Sequence, residues 1–315
     1  MITWGINALN HGSSLSVFNN SELMFTEAHA SDELDAQTLR QAFDYGGPNE
    51  IYWYERPYIK KLRQLRAGQW NRAFAIDDIP SRYLKSVGVG CAKVKYTPHH
   101  ASHAAAGYYT SSFNHCAVVV LDAIGEFECA SIWEGKHGEL RKVWSKSYPH
   151  SLGLFYSAFT HLIGLTPVQD EYILQQMARQ GDPNRYYHRI CKYFNGPVEL
   201  AQNLHKGVVD WEDEIDNVQT QQDIAAAVQQ VFQENVNSVM LTAQHLTGSN
   251  SLVYMGGCAM NSDANKACVE PHFDYIWSLP QPGDPSSSIG AVLYHTKQRT
   301  ESKQLGVVKH ITINV

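Results

Sequence analysis

The strongest constraint on this chain is that it repeats itself. "ITWGINALNHGSSLSVFNNSELMF" (2–25) alternates strand-forming residues with turn residues, and "AVVVLDAIGEFECASIWEGKHGELRKVW" (117–144) has the same pattern. Leu121-Asp122-Ala123 stands 115 positions after Ile6-Asn7-Ala8, and Ser131-Ile132-Trp133 stands 115 positions after Ser16-Val17-Phe18. A period of that length is too long for a solenoid. It predicts two related lobes, 1–113 and 114–315, each opening with a meander of hairpins whose glycine-containing corner faces a shared cleft.

After each meander the pattern turns helical. Residues 56–66 and 99–109 read as helices, "SLGLFYSAFTHLIGL" (151–165) as a buried apolar helix, and 223–246 as the longest amphipathic one, with Asp223 as its N-cap. "SLVYMGGCAMN" reads as a buried strand ending at Gly256-Gly257. "IWSLPQPGDPSSSIGAVLYH" reads as a strand, a Pro/Gly loop and a final helix, and "GVVKHITINV" as a closing edge strand. The architecture expected is α/β, in the two-lobed plan of the actin, sugar-kinase and Hsp70 superfold.

Composition narrows the function classes. With 315 residues and 43% hydrophobic, the chain can bury a sizeable core. Its net charge of −6 opposes polyanions globally, so a nucleic-acid site would have to be a local patch. Cys91, Cys116, Cys129, Cys191, Cys258 and Cys268 contain no CxxC pair, which argues for a reducing compartment and a cytoplasmic location. Neither a secretory leader nor an apolar run of membrane-spanning length is expected.

Polar residues gather at four strand ends. "YTPHHASHAAAGYY" (96–109) places His99 and His103 one helical turn apart, either as packed or capping histidines or as two ligands of one metal ion. A carboxylate from a distant loop would complete a facial site for divalent iron, manganese or zinc. The other three are Asn10-His11-Gly12-Ser13, Asp122 with Gly125-Glu126, and Gly256-Gly257 with Asn261 followed by Pro282-Gly283-Asp284. Their glycines either satisfy turn geometry or let backbone N–H groups approach phosphate oxygens, and Asp284 before Pro285 has the pattern of a helix N-cap.

These same residues carry a family resemblance. Gly5-Ile6-Asn7 with His11, His99-His100-Ala101-Ser102-His103-Ala104, Leu121-Asp122 with Gly125-Glu126, and Ser151 to Ser157 fall in the order of one family. So do Asp170-Glu171-Tyr172, Gly256-Gly257 with Ala259 and Asn261, and Gln281-Pro282-Gly283-Asp284. Across residues 3 to about 295 the chain resembles the O-carbamoyltransferases of nodulation and antibiotic tailoring, whose first domain is similar to the tRNA threonylcarbamoyl-transfer protein. The resemblance implies that His99, His103 and Asp284 hold a metal, with Asp122 beside it. It implies that His11 faces the carbamoyl group and that Gly256 and Gly257 border the adenosine of a carbamoyl-adenylate. Gly12, Gly125 and Asn261 join that donor site. His11 would then be the base that takes the acceptor's proton.

Three departures accompany the resemblance. Gly12 stands where the family has an aspartate, Ile173 stands where it has a lysine, and no counterpart of the adenylate-forming second domain is found in the 315 residues. The implied donor is therefore carbamoyl phosphate used directly, or a carbamoyl-adenylate made with ATP by a separate adenylate-forming protein. The departures also keep open a catalytically silent nucleotide-binding subunit, and the superfold a small-molecule kinase. The acceptor is a sugar, an antibiotic-like molecule or DNA. "IYWYERPYIKKLRQLRAGQWNR" (51–72) interleaves Arg56, Lys60, Lys61, Arg63, Arg66 and Arg72 with aromatics including Trp70, either as a solvated basic helix or as a nucleic-acid surface. The second reading expects the hydroxymethyl group of 5-hydroxymethylcytosine in DNA as acceptor, with the base leaving the stack. No membrane partner is expected, and a homo-oligomer is compatible with the sequence.

Overall fold

A computed structural model describes residues 1–77, 79–90 and 93–300, together with a two-residue backbone strand at Ile311–Thr312. The first lobe contains strands β1 (Ile2–Asn10), β2 (Gly12–Asn19), β3 (Glu22–His29), β4 (Glu50–Trp53) and β5 (Lys93–Tyr96). Its helices are α1 (Ala36–Asp44), α2 (Pro57–Arg66), α3 (Trp70–Phe74), α4 (Pro80–Ser86) and α5 (His99–Thr110). The second lobe contains β6 (His115–Gly125), β7 (Glu128–Lys136), β8 (Glu139–Ser147), a small ribbon of β9 (Phe194–Gly196) and β10 (Glu199–Leu200), β11 (Ser251–Met255) and β12 (Tyr275–Trp277). Its helices are α6 (Leu152–Leu162), α7 (Glu171–Ala178), α8 (Tyr187–Cys191), α9 (Val218–Thr247), α10 (Ser262–Ala264) and α11 (Ser287–Thr296).

The sheets have one topology used twice. The first runs β3-β2-β1-β4-β5; the second runs β8-β7-β6-β11-β12, with Ile311–Thr312 antiparallel at its edge and the rest of the expected closing strand outside the described residues. Even the register repeats: Trp4 pairs with Val17 and Ile6 with Leu15, while Val119 pairs with Ile132 and Leu121 with Ala130, each 115 positions on. The meander strands are antiparallel, and β4 and β11 join β1 and β6 in parallel. This is the α/β duplication that the repeat demanded, in the two-lobed plan of the actin and sugar-kinase superfold.

The lobes are locked by exchanged helices. Helix α5, from the first lobe, packs on β6 and β11 of the second, and α11, from the second, packs on β1 and β4 of the first. All twelve residues of α5 are buried, its alanines, Gly107 and Ser102 allowing close packing while its three histidines and two tyrosines are buried with them. Closeness depends on glycine: a Cβ on Gly290 would lie 1.7 Å from the Ser102 carbonyl oxygen, and one on Gly5 would lie 1.8 Å from that of Ser288.

One capping expectation is corrected. Helix α9 starts at Val218, capped by the Asn217 side chain, which accepts from the Thr220 N–H at 2.8 Å. Asp223 instead sits inside the helix, accepting from the Asp182 N–H and from Arg185. The polar run Gln219 to Gln222 hides the first turn from a periodicity reading. The five described cysteines are free thiols, and Cys91 lies outside the described residues. Among the described residues, no helix is long and apolar enough to cross a membrane.

Candidate metal centre

The helix exchange brings four side chains together at the junction of the lobes. His99 and His103 project from the first turns of α5, Asp122 lies near the end of β6, and Asp284 lies in the 3-10 turn that leads into α11. Their nearest ligand atoms all lie within 4.8 Å of one another. His99 Nε2 is 3.1 Å from His103 Nε2, 3.1 Å from Asp122 Oδ2 and 3.3 Å from Asp284 Oδ1. His103 Nε2 is 3.3 Å from Asp284 Oδ1 and 3.6 Å from Asp122 Oδ2. Asp284 makes no side-chain capping bond, so the N-cap alternative gives way to the cluster.

Each ligand is held from behind. Asp122 Oδ1 accepts from the Ala123 N–H at 2.8 Å and the Gly257 N–H at 3.4 Å, leaving Oδ2 for the histidines. The His99 ring is sandwiched: Tyr54 lies 5.3 Å away between ring centroids, and a Cβ on Gly125 would sit 2.2 Å from His99 Cδ2. Ser287 Oγ stands 3.5 Å from the ring nitrogens of His103. His100 turns away, its Nδ1 2.8 Å from Ser131 Oγ, and burial holds its pKa well below the usual imidazole range.

The electrostatics are those of imidazoles and carboxylates paired with one another. Burial opposes charge on His99, but the Asp284 and Asp122 carboxylates override it and raise its pKa well above the usual value. Burial likewise opposes charge on both aspartates, and the two histidines override it and hold them below the usual carboxylate range. Two carboxylates and two imidazole nitrogens form an N₂O₂ donor set that suits iron, manganese or zinc. Asp284 Oδ1 fits such a role further, being buried with the two imidazole nitrogens as its neighbours at 3.3 Å.

The remaining expected site residues are distributed differently. His11 is exposed at the β1–β2 corner, outside the cluster. The Gly12 N–H donates to Asp32 Oδ1, and the Gly256 N–H to the Pro282 carbonyl. Those two amides are already committed, so neither offers a phosphate donor; Gly256 serves close packing at φ 92°, where a Cβ would meet the Leu121 carbonyl oxygen at 2.2 Å. Asn261 forms a reciprocal amide pair with Gln229 and caps the Ala264 N–H, so its side chain is fully engaged in the fold.

The basic stretch is corrected most. Arg56 closes a bidentate pair with buried Glu126, and Lys60 is buried against Glu55 at 2.7 Å. Arg63 is buried and donates to Gln69 Oε1, and Lys61 donates to the Ala75 carbonyl. Arg56 reaches across to Glu126 of the second lobe, whereas Lys60, Lys61 and Arg63 are turned toward acceptors of their own segment, Glu55, Ala75 and Gln69. Arg66 and Trp70 remain exposed. Two contacts went unread in the sequence: that of Tyr54 with His99, its aromatic character having looked like part of a surface run, and that of Glu126 with Arg56, 70 positions apart and without a local signal.

The carbamoyltransferase N-terminus family model matches residues 49–293. An uncharacterized protein of Synechocystis sp. is 32% identical over 257 residues, covering 71% of this chain and 42% of that protein. Nodulation protein NolO of Bradyrhizobium diazoefficiens is 26% identical over 212 residues, covering 62% of this chain and 37% of that one. This chain thus spans less than half the length of these curated relatives. Among solved structures, it is similar to an activator of 2-hydroxyisocaproyl-CoA dehydratase from Clostridium difficile, at 14% identity, a TM-score of 0.46 and 94% coverage of both chains. A ROK family protein from Streptococcus pneumoniae gives 10% identity and a TM-score of 0.48, over 93% of this chain and 98% of that one. On the family match, over most of its length, the chain belongs to the carbamoyltransferase family through that family's N-terminal domain.

Proposed function

We propose that this protein transfers a carbamoyl group from an activated donor to a hydroxyl at the junction of its two lobes. The convergence of His99, His103, Asp122 and Asp284 within a carbamoyltransferase-family domain carries that reading. These four residues would hold a divalent cation, which when bound supplies Lewis acidity toward the carbamoyl carbonyl. Asp122 is pinned by the Ala123 and Gly257 amides and presents its other oxygen without rearrangement. His11 is the residue we assign to accept the hydroxyl proton, its exposed corner leaving it open to an incoming acceptor. The acceptor oxygen forms a bond to the carbamoyl carbon and the carbon–oxygen bond to phosphate breaks. The phosphate leaves with that electron pair, and the proton passes to His11.

A small hydroxylated acceptor is favoured over DNA. The DNA reading rested on a row of available cations, and Arg56, Lys60 and Arg63 are spent on intramolecular partners. The test supplies carbamoyl phosphate, a divalent metal, and ATP with or without an adenylate-forming partner. It offers a panel of saccharides beside an oligonucleotide containing 5-hydroxymethylcytosine, and reads products by mass spectrometry. A mass gain of one carbamoyl group on a saccharide, lost in His99→Ala, supports the reading. ADP formation without carbamate would identify a kinase and overturn it.

A further inference from the structure

The repeat points to a second functional position that the metal centre does not use. Asn7 stands 115 positions before Asp122 and so occupies, in the first lobe, the place that Asp122 occupies in the second. It is fully buried, yet neither Oδ1 nor Nδ2 has a hydrogen-bond partner among the described residues. Its cross-strand neighbour in the β1–β2 ladder is Ser14, equally buried, whose Oγ is also unpartnered. Burying an amide and a hydroxyl unpaired is costly, and native structures rarely do so without a ligand or function to explain it.

Two independent contacts place this pair beside the centre. Tyr54 donates its backbone N–H to the Ile6 carbonyl, adjacent in the chain to Asn7, while its ring packs against His99. The neighbouring row on the same strand face, Gly5 with Ser16, lies under the start of α11. There Ser16 Oγ is 2.8 Å from Ser288 Oγ, four residues beyond Asp284. Side chains two apart along a strand share a face, so Asn7 and Ser14 extend that row along the face covered by α11.

The chemistry of the unpaired group names its ligand. A primary amide presents one acceptor and two donors in a plane, and its best complement is another primary amide aligned head to tail. The protein builds one such pair itself: Gln229 donates to Asn261 Oδ1, and Asn261 donates to Gln229 Oε1, each at 3.0 Å. The carbamoyl group is a primary amide. We infer that Asn7, with Ser14 beside it, recognises the carbamoyl group of the donor by a reciprocal amide pair and makes the protein select carbamoyl over acyl donors. This rests on the transfer reading above and adds to it a residue of specificity, separate from the metal ligands.

The test compares direct binding of carbamoyl phosphate and acetyl phosphate, which replaces the amino group by a methyl, to the full metal-loaded chain by calorimetry. The wild type is expected to bind carbamoyl phosphate roughly tenfold more tightly, the scale of one or two neutral hydrogen bonds. Asn7→Ala is expected to remove that preference, weakening carbamoyl phosphate more than acetyl phosphate, which keeps only the carbonyl half of the pair, and to leave metal content unchanged. Because the amide has no internal partner, Asn7→Ala should melt no lower than the wild type without ligand, whereas a structural asparagine would cost stability. Ser14→Ala provides a second, smaller loss of preference. A preference retained in Asn7→Ala overturns this inference alone. No preference in the wild type likewise overturns the inference, whereas the transfer reading falls only if no carbamoyl transfer is seen in the product assay above.

Discussion

The two hairpin corners begin from one plan and end in different chemistry. At the β6–β7 corner the strand delivers Asp122 to the histidines, and Glu126, at φ 60° and buried, is clamped by Arg56 of the other lobe. At the β1–β2 corner the same register delivers uncharged Asn7, and His11 stands exposed. The strands differ little in geometry; what differs is which helix end meets them. Helix α5 brings imidazoles to the second lobe's strand, and the turn before α11 brings a carboxylate back to those imidazoles. Duplication thus supplied two equivalent frames, and helix exchange combined their unequal side chains into one asymmetric site.

That comparison can be broken most severely at the helix crossing. Gly290→Ala drives a methyl carbon into the Ser102 carbonyl and should cost about 3 kcal/mol or more, read as a shifted denaturant midpoint. Gly196→Ala, where no atom lies within 4 Å of the added carbon, serves as the near-neutral control.

Next come the ligands, where the lobes can be made alike. His99→Ala or His103→Ala should weaken divalent metal binding by roughly 100-fold or more, and Asp122→Asn, which converts the second lobe's residue to the first lobe's type, by roughly 10–100-fold. Chelator competition measures both, and full metal occupancy in the His99→Ala/His103→Ala double variant would refute the ligand assignment.

The pH dependence separates the metal-free from the loaded site. In the metal-free protein the raised His99 pKa stabilises the fold below the unfolded histidine value, and that contribution is lost as pH rises through the folded value. The lowered Asp122 and Asp284 values act in the opposite sense: they stabilise above the ordinary aspartate range and fade as acid is added. Metal must displace the imidazole proton, so metal affinity should rise across the same alkaline range in which the metal-free melting temperature falls. Melts with and without chelator across that range should diverge; parallel curves would argue against a proton-coupled cluster.

The smallest effect lies in the basic segment. Arg56→Ala leaves Glu126, 5% exposed, without its partner and should cost about 1–3 kcal/mol, below the roughly 3–5 kcal/mol of a fully buried pair because Arg56 itself is half exposed. Arg66→Ala, on the solvent side of the same helix, should stay within about 0.5 kcal/mol. Equal effects would show that the segment is a solvated face after all.

Legibility followed the range of the interactions. The repeat, the hairpin order, the helix that carries His99 and His103, and the strand that stops at Gly256-Gly257 are written in local periodicity and turn chemistry, so the sequence alone determined them. The histidine spacing also stated that two imidazoles share a helix face. Which carboxylates they meet is in no local pattern: the family resemblance named Asp284 and Asp122, and only the tertiary structure brings Asp284, 181 positions beyond His103 and by local pattern equally a cap, to the histidines. Lys60 and Arg63 looked solvent-facing because charge is solvated by default, and only the burial of α2 turned them inward onto Glu55 and Gln69. Asn7 shows the same limit from the other side. Its alignment with Asp122 is plain in the sequence, but an amide with no partner becomes visible only when every neighbouring donor and acceptor has a position in space.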